Sequence, residues 1–258
     1  MVDTHCHLDM EPMAYHEAEV MARARAAGVE RAVTVGVDLA SSERAIRIAH
    51  AVPGVYAAVG IHPSEVGSVS MDDMERLRVL ADDERVVAVG EIGLDYYQLE
   101  RHADTMPDRI TQTRAFDQQV SVAADLGRPV IVHARGAIAD AVTILRDYQP
   151  EVTALFHSFD GTAKEAALII EMGGFIGLNN IISYPKNDAL RVVVQDIPLD
   201  RIVLETDAPF LPPQNRRGTP AEPADVAPVA QLLAELHHVR IEHVVAVTDR
   251  TVSAILAI

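Results

Sequence analysis

An α/β fold, specifically a (β/α)8 barrel of the TIM type with extra C-terminal helices, is what this sequence predicts, and three observations support it. Eight short runs of β-branched and apolar residues alternate with helix-like segments, and eight parallel strands is the number that closes a barrel. The chain has 258 residues, 49% of them hydrophobic, an ordinary length for one barrel with ample material for one core. Residue types that bind metals recur where the strand runs end, and such folds place active sites at that end.

The elements follow in order. The first strand, 2–5, ends in His5, and His7 lies two residues on. Side chains at i and i+2 of a strand share a face, so both imidazoles can converge on one ion while Cys6 points away. The second and third strands, 32–36 and 56–60, run into Gly36 and Gly60. The fourth, 86–90, precedes Glu91, the fifth, 130–133, ends in His133, and the sixth, 153–156, precedes His157. The seventh spans 175–178, and the eighth, 202–204, is followed closely by Asp207. Helices are expected near 13–27, 41–51, 71–82, 108–127, 137–148, 162–172 and 186–195, with two more near 222–239 and 241–257. Residues 97–107 and 210–223 read as long loops on the side where strands end, suited to gripping a substrate. No repeat, low-complexity tract or Gly/Ser linker divides the chain, so 1–258 reads as one domain.

Composition narrows the function classes. No apolar run is long enough to span a membrane. With a strand beginning at Val2 there is no room for a signal peptide, and a single cysteine agrees with a reducing compartment. The expectation is a cytoplasmic monomer without an obligate protein partner. A formal charge of -16 argues against a broad nucleic-acid footprint. It leaves a phosphate substrate open, because two bound divalent ions reverse the local field.

Imidazole and carboxylate together suit zinc, manganese, iron or nickel. The spacing gives a first ion to His5, His7 and Asp207 and a second to His133 and His157, with Glu91, central in the strand order, as the bridge. Open positions would remain for water and substrate oxygens. Many related barrels bridge with a carboxylated lysine, but Lys164 and Lys186, the only lysines, fall on a helix and after strand seven. A lone strand-end histidine is more often a hydrogen-bonded structural residue than a ligand. Six ligand-type residues at five strand ends favour a metal centre over that reading. His16, His50, His102, His237, His238 and His243 fall in helices or loops, with surface or packing roles expected.

These residues resemble the TatD family of metal-dependent hydrolases, in the amidohydrolase-like superfamily, over essentially the whole chain. The motifs are Asp3-Thr4-His5-Cys6-His7-Leu8-Asp9, Gly60-Ile61-His62-Pro63, Gly90-Glu91-Ile92-Gly93-Leu94-Asp95-Tyr96-Tyr97, Pro129-Val130-Ile131-Val132-His133 and Leu204-Glu205-Thr206-Asp207-Ala208-Pro209-Phe210-Leu211. The resemblance implies an exonuclease-type deoxyribonuclease using magnesium, manganese or zinc and acting on the ends of DNA, or of RNA. It implies His5, His7, Glu91, His133, His157 and Asp207 as ligands and places His62 near the substrate phosphate. From the residues alone, His62 reads as a turn residue before Pro63. The chain departs from the family pattern at Ser158-Phe159-Asp160, where Cys-Phe-Ser is usual, and at Gly136, where Asp is usual. It departs again at Pro220-Ala221-Glu222-Pro223 and at Arg250. Asp160 is expected to add negative charge beside the second ion or to hydrogen-bond a ligand histidine.

The expected reaction is attack of a metal-activated water on a phosphodiester, with two ions neutralising charge on the entering and leaving oxygens. Asp207 is placed to take the water's proton. Arg135 suits a non-bridging phosphate oxygen or, equally, a salt bridge to a neighbouring helix. Tyr96 and Tyr97 could stack a terminal base, although tyrosines at a strand-loop edge are more often packing residues. The alternative activity is hydrolysis of an amide, ester or lactone at the same two-metal site.

Overall fold

Eight parallel strands form one sheet in sequence order. A computed structural model describes all 258 residues. The strands are β1 (Val2–Cys6), β2 (Arg31–Val35), β3 (Val55–Val59), β4 (Val86–Asp95), β5 (Val130–Arg135), β6 (Ala154–Phe156), β7 (Phe175–Leu178) and β8 (Ile202–Leu204). Between them run helices α1 (Glu17–Ala26), α2 (Leu39–Ala51), α3 (Met71–Ala81), α4 (Tyr96–Arg101), α5 (Arg109–Leu126), α6 (Ile138–Arg146), α7 (Ala163–Glu171) and α8 (Asp188–Asp196). After β8 come α9 (Val226–Leu236) and α10 (Ile241–Leu256). No helix is long and apolar enough to cross a membrane.

Several helix starts follow from capping residues. Asp38 and Ser70 accept the N3 backbone N–H in reciprocal capping boxes before α2 and α3, and Thr162 does so before α7. Each such cap contributes about 1 kcal/mol. Two expectations need correction. The stretch expected as loop from Tyr97 contains α4, which Asp95 caps by accepting from Gln98 N. The helix expected from residue 13 begins only at Glu17, because 8–15 fold into turns.

The core has two layers. A large cluster packs the outer strand faces against the helices. Inside the barrel lies a smaller cluster including Val33, Val35, Ala58, Ile131, Leu155 and Val203, with Val252 and Leu256 of α10 closing it. Burying each such valine or leucine contributes about 1.5–3 kcal/mol. Arg31, which opens β2, reaches Ser253 of α10, so that helix covers the N-terminal ends of the strands. The opposite end stays free for chemistry.

The seam between β8 and β1 is closed just beyond both strands. Asp207 N donates to His5 O at 2.8 Å and His7 N to Ala208 O at 2.7 Å. Of three bulges in the ladder, the one between β3 and β4 turns both Val87 and Ala88 inward, and the other two set how ligand-type side chains face. Asp3 pairs with Ala32 but Cys6 with Thr34, so β1 uses one residue more than β2. Likewise Val89 pairs with Val130 but Ile92 with Val132, so β4 gains one on β5. A bulge re-aims the side chains that follow it. Here His5 turns inward after one bulge and Glu91 after the other, while Cys6, Ile92 and Leu94 join the outer layer. Past the bulge of β4 on β5 the strands run so close that a Cβ on Gly93 (φ +144°) would lie 1.9 Å from His133 O. Only glycine fits there.

Candidate metal centre

His5, His7 and Asp207 meet at the seam. The two Nε2 atoms are 3.3 Å apart, and Asp207 Oδ1 lies 3.7 Å from the first and 3.6 Å from the second. His7 Nδ1 stands 2.9 Å from Val35 O. A carbonyl only accepts, so Nδ1 carries a proton and Nε2 is the nitrogen that faces the centre. Burial opposes charge on His7, but the hydrogen bond and charge of Asp207 prevail and raise its pKa to about 9. Burial and the neighbouring His157 lower that of His5 to about 4. Asp3 braces this half by accepting from the backbone of His5 and from both the backbone and the hydroxyl of Thr206.

His133 and His157 form the facing half, and Glu91 lies between the halves. Its Oε1 is 2.7 Å from His133 Nδ1 and 2.7 Å from His157 Nε2, while Oε2 is 3.5 Å from His5 Nε2. Despite burial, the charge of His157 and the hydrogen bonds of His133 and His157 hold its carboxyl well below the usual range. The far nitrogen of His133 donates to Asp95 Oδ2 at 3.2 Å. Burial opposes charge on His133 too, yet Asp95 and Glu91 raise it to about 9. Behind His157, Glu205 Oε1 lies 3.8 Å from Nδ1 and accepts from Ser158 N and Asn179 Nδ2. Burial first, then the Asp207 charge, pushes the Glu205 carboxyl up to about 7.

His62 borders the same space. Ser64 N donates to its Nδ1 at 3.2 Å, which leaves the proton on Nε2, 3.7 Å from Glu91 Oε1. Burial lowers His62 to about 4, so its neutral ring offers an N–H to the centre. Gln119 fixes the preceding turn through both Ile61 N and Ile61 O.

Seven side chains expected at the site thus converge. Nitrogen and carboxylate oxygen donors in two adjacent sets suit divalent cations. Two imidazole nitrogens 3.3 Å apart, with Asp207 Oδ1 within 3.7 Å of both, fit a centre whose charge balance includes cations. Asp207 (φ 61°), Ser158 (φ 49°) and Leu211 (φ 52°) are non-glycine residues in left-handed backbone, and all three line the cleft above it. Strain of this kind collects at functional sites.

The cleft holds about 300 Å³ between Arg135, Ile138, Phe159, Asp160, Phe210 and Leu211. Tyr96 is not part of it. That ring is 5% exposed, its hydroxyl donates to Asp140, and Arg109 stacks on it, so it offers no face to a base. Tyr97 is stacked by Arg101 and Arg135 and is likewise closed to base stacking. Arg135 makes no salt bridge to a neighbouring helix. Asp160 hydrogen-bonds no histidine, since Asp95 and Glu205 stand behind the histidines instead. The departure at Ala221 is a buried loop tied down by the Arg23–Glu222 pair at 2.7 Å, and Arg250 lies exposed on α10, away from the cleft.

Sequence reasoning missed Asp95, Glu205 and Asn179 as supports. Asp95 carried a signal: Glu91, Gly93 and Asp95 alternate along one strand and share its inner face. Glu205 and Asn179 each follow a strand end, β8 and β7, and that position was the only cue.

Known proteins resemble this chain over its whole length. The profile of the family described as TatD related DNase matches residues 2–257. The chain is 35% identical over 259 residues to the uncharacterized metal-dependent hydrolase YabD of Bacillus subtilis (strain 168), covering 100% of this chain and 99% of that one. It is 34% identical over 223 residues to the 3'-5' ssDNA/RNA exonuclease TatD of Cronobacter turicensis, covering 86% and 82%. Among solved structures, YJJV, a TatD homologue from Escherichia coli K12, superposes with a TM-score of 0.91 at 29% identity, covering 100% of this chain and 98% of that one.

Proposed function

The chain belongs to the TatD family of metal-dependent hydrolases, and from that premise we propose that it removes nucleotides from the ends of DNA, or of RNA, by hydrolysing phosphodiester bonds. One observation carries the two-ion form of this reading: the oxygens of Glu91 point to different histidine groups, Oε1 to His133 and His157 and Oε2 to His5. His5, His7 and Asp207 would hold one zinc, magnesium or manganese ion, His133 and His157 the other, and Glu91 both. Such a pair supplies Lewis acidity that activates water and offsets charge on the entering and leaving oxygens.

The protein's own groups do the rest. Asp207, ionised because the His7 hydrogen bond and the charges of His157 and His7 outweigh its burial, accepts the proton of the attacking water. His62 donates its Nε2–H to a non-bridging phosphate oxygen. Arg135, at the mouth of the cleft, pairs with the same phosphate. The apolar wall of Ile138, Phe159, Phe210 and Leu211 receives the terminal nucleoside and excludes water from around the charges, which strengthens them. The exonuclease named among the relatives supports this substrate class.

The test uses metal-depleted protein reconstituted separately with magnesium, manganese or zinc. Labelled single-stranded oligonucleotides and a panel of amides, esters and lactones are the substrates. Stepwise release of mononucleotides from one end, with the panel untouched, is the expected result. Cleavage of a carbonyl substrate with oligonucleotides left intact would overturn the proposal.

A further inference from the structure

At the rim of the cleft, two cations share one aromatic ring. The Arg101 guanidinium carbon lies 3.7 Å from the Tyr97 ring centroid and that of Arg135 lies 4.2 Å from it. Two guanidinium planes cannot both sit that close over the same face, so they bracket the ring. Stacking orients a guanidinium without using its N–H donors, which all lie at its edge. Neither arginine hydrogen-bonds or ion-pairs with any group of the protein. Arg47, Arg85, Arg114, Arg146, Arg217 and Arg250 also lack such a partner, but only Arg101 and Arg135 share one ring beside the cleft. Elsewhere Arg23, Arg44, Arg78, Arg191 and Arg216 each meet a carboxylate. After Arg135 comes Gly136 (φ 66°), which has no side chain to neutralise it.

Position adds direction. Arg135 is two residues beyond His133 on β5, hence on the same strand face and about 7 Å farther out. Arg101, at the end of α4, stands on the other side of Tyr97. A path leaving the centre therefore meets Arg135 and then Arg101, two fixed positive charges separated by one ring. We propose that Arg101 is a substrate-binding residue, holding the phosphate next to the one at Arg135, so that the Arg101–Tyr97–Arg135 stack selects polynucleotides over single-phosphate diesters. The proposal rests on the nuclease reading above.

Arg101→Gln and Arg101→Lys test it, compared on a labelled single-stranded oligonucleotide and a dinucleoside monophosphate, which has one phosphate. Arg101→Gln should lower kcat/KM on the oligonucleotide about tenfold more than on the dinucleoside monophosphate, chiefly through KM. The slope of log KM against log salt for the oligonucleotide should fall by about 0.7, the share of one phosphate contact on a single strand. Arg101→Lys keeps the charge and should recover part of the loss. Equal effects on both substrates, or an unchanged salt slope, would overturn the clamp and leave the nuclease reading standing. If the unmodified protein cleaves neither diester, the nuclease reading fails and the clamp with it.

Discussion

The two halves of the centre are built from the same side-chain types but held by different means. At the seam, His7 is oriented by a backbone carbonyl, that of Val35, and no side-chain substitution removes that acceptor. On the facing side, His133 is oriented by the carboxylate of Asp95, and His157 sits before Glu205. A neutral backbone partner fixes a ring without adding charge. A carboxylate partner adds charge and makes its histidine more basic. The His7 ring is thus set by the main chain of β2, whereas the His133 ring is tunable by a single substitution.

Glu91→Ala should erase the contrast by removing the carboxylate whose two oxygens reach histidines of both halves. Bound metal should fall from two ions to none per chain, and turnover by at least a thousandfold, about 4 kcal/mol on the barrier. Elemental analysis decides, since retention of two ions would refute the bridge. Asp207→Asn keeps an oxygen at the seam but cannot accept the water's proton. Its kcat should drop by about 10²–10⁴ with most of the metal kept, checked by steady-state kinetics beside metal content.

Asp95→Asn probes the contrast from the facing side alone. The second ion should bind about ten- to a hundredfold more weakly while the first is unaffected, which a two-site metal titration resolves. Equal weakening of both sites would show that the halves are not separately supported. The smallest effect is of pH and reaches both halves. In the ion-free protein, His7 and His133 have pKa values raised to about 9, so both are protonated at neutral pH. Cation binding must displace those protons. Affinity should therefore rise with pH, about tenfold per unit for each proton displaced, and level off above about 9. Titrations in buffers of different ionisation enthalpy count the protons released, and a pH-independent affinity would contradict this.

The barrel was legible because its signals are local: eight apolar runs, each followed by a helix pattern. The metal-type residues were legible for a related reason, since strand ends are where parallel barrels put chemistry. The bulges were not. Unbroken alternation from Val2 would turn His5 outward, and from Ala88 it would do the same to Glu91. An extra residue in each strand shows only in the pairing of β1 with β2 and of β4 with β5. Tyr96 and Tyr97, at the end of the Gly90–Tyr97 motif, left base stacking open beside a packing role, and the arginines that cover them come from α4, α5 and β5, contacts with no pattern in sequence. Asp95 escaped notice because β4 was expected to stop at Gly90, whereas it continues to Asp95.

Anomalous diffraction from crystals of the protein loaded with manganese tests the central claim most directly. Two peaks are expected, about 3.5–4 Å apart, with one Glu91 oxygen on each, His5, His7 and Asp207 around the first, and His133 and His157 around the second. A single peak, or a pair that leaves Glu91 bound to only one ion, would contradict it.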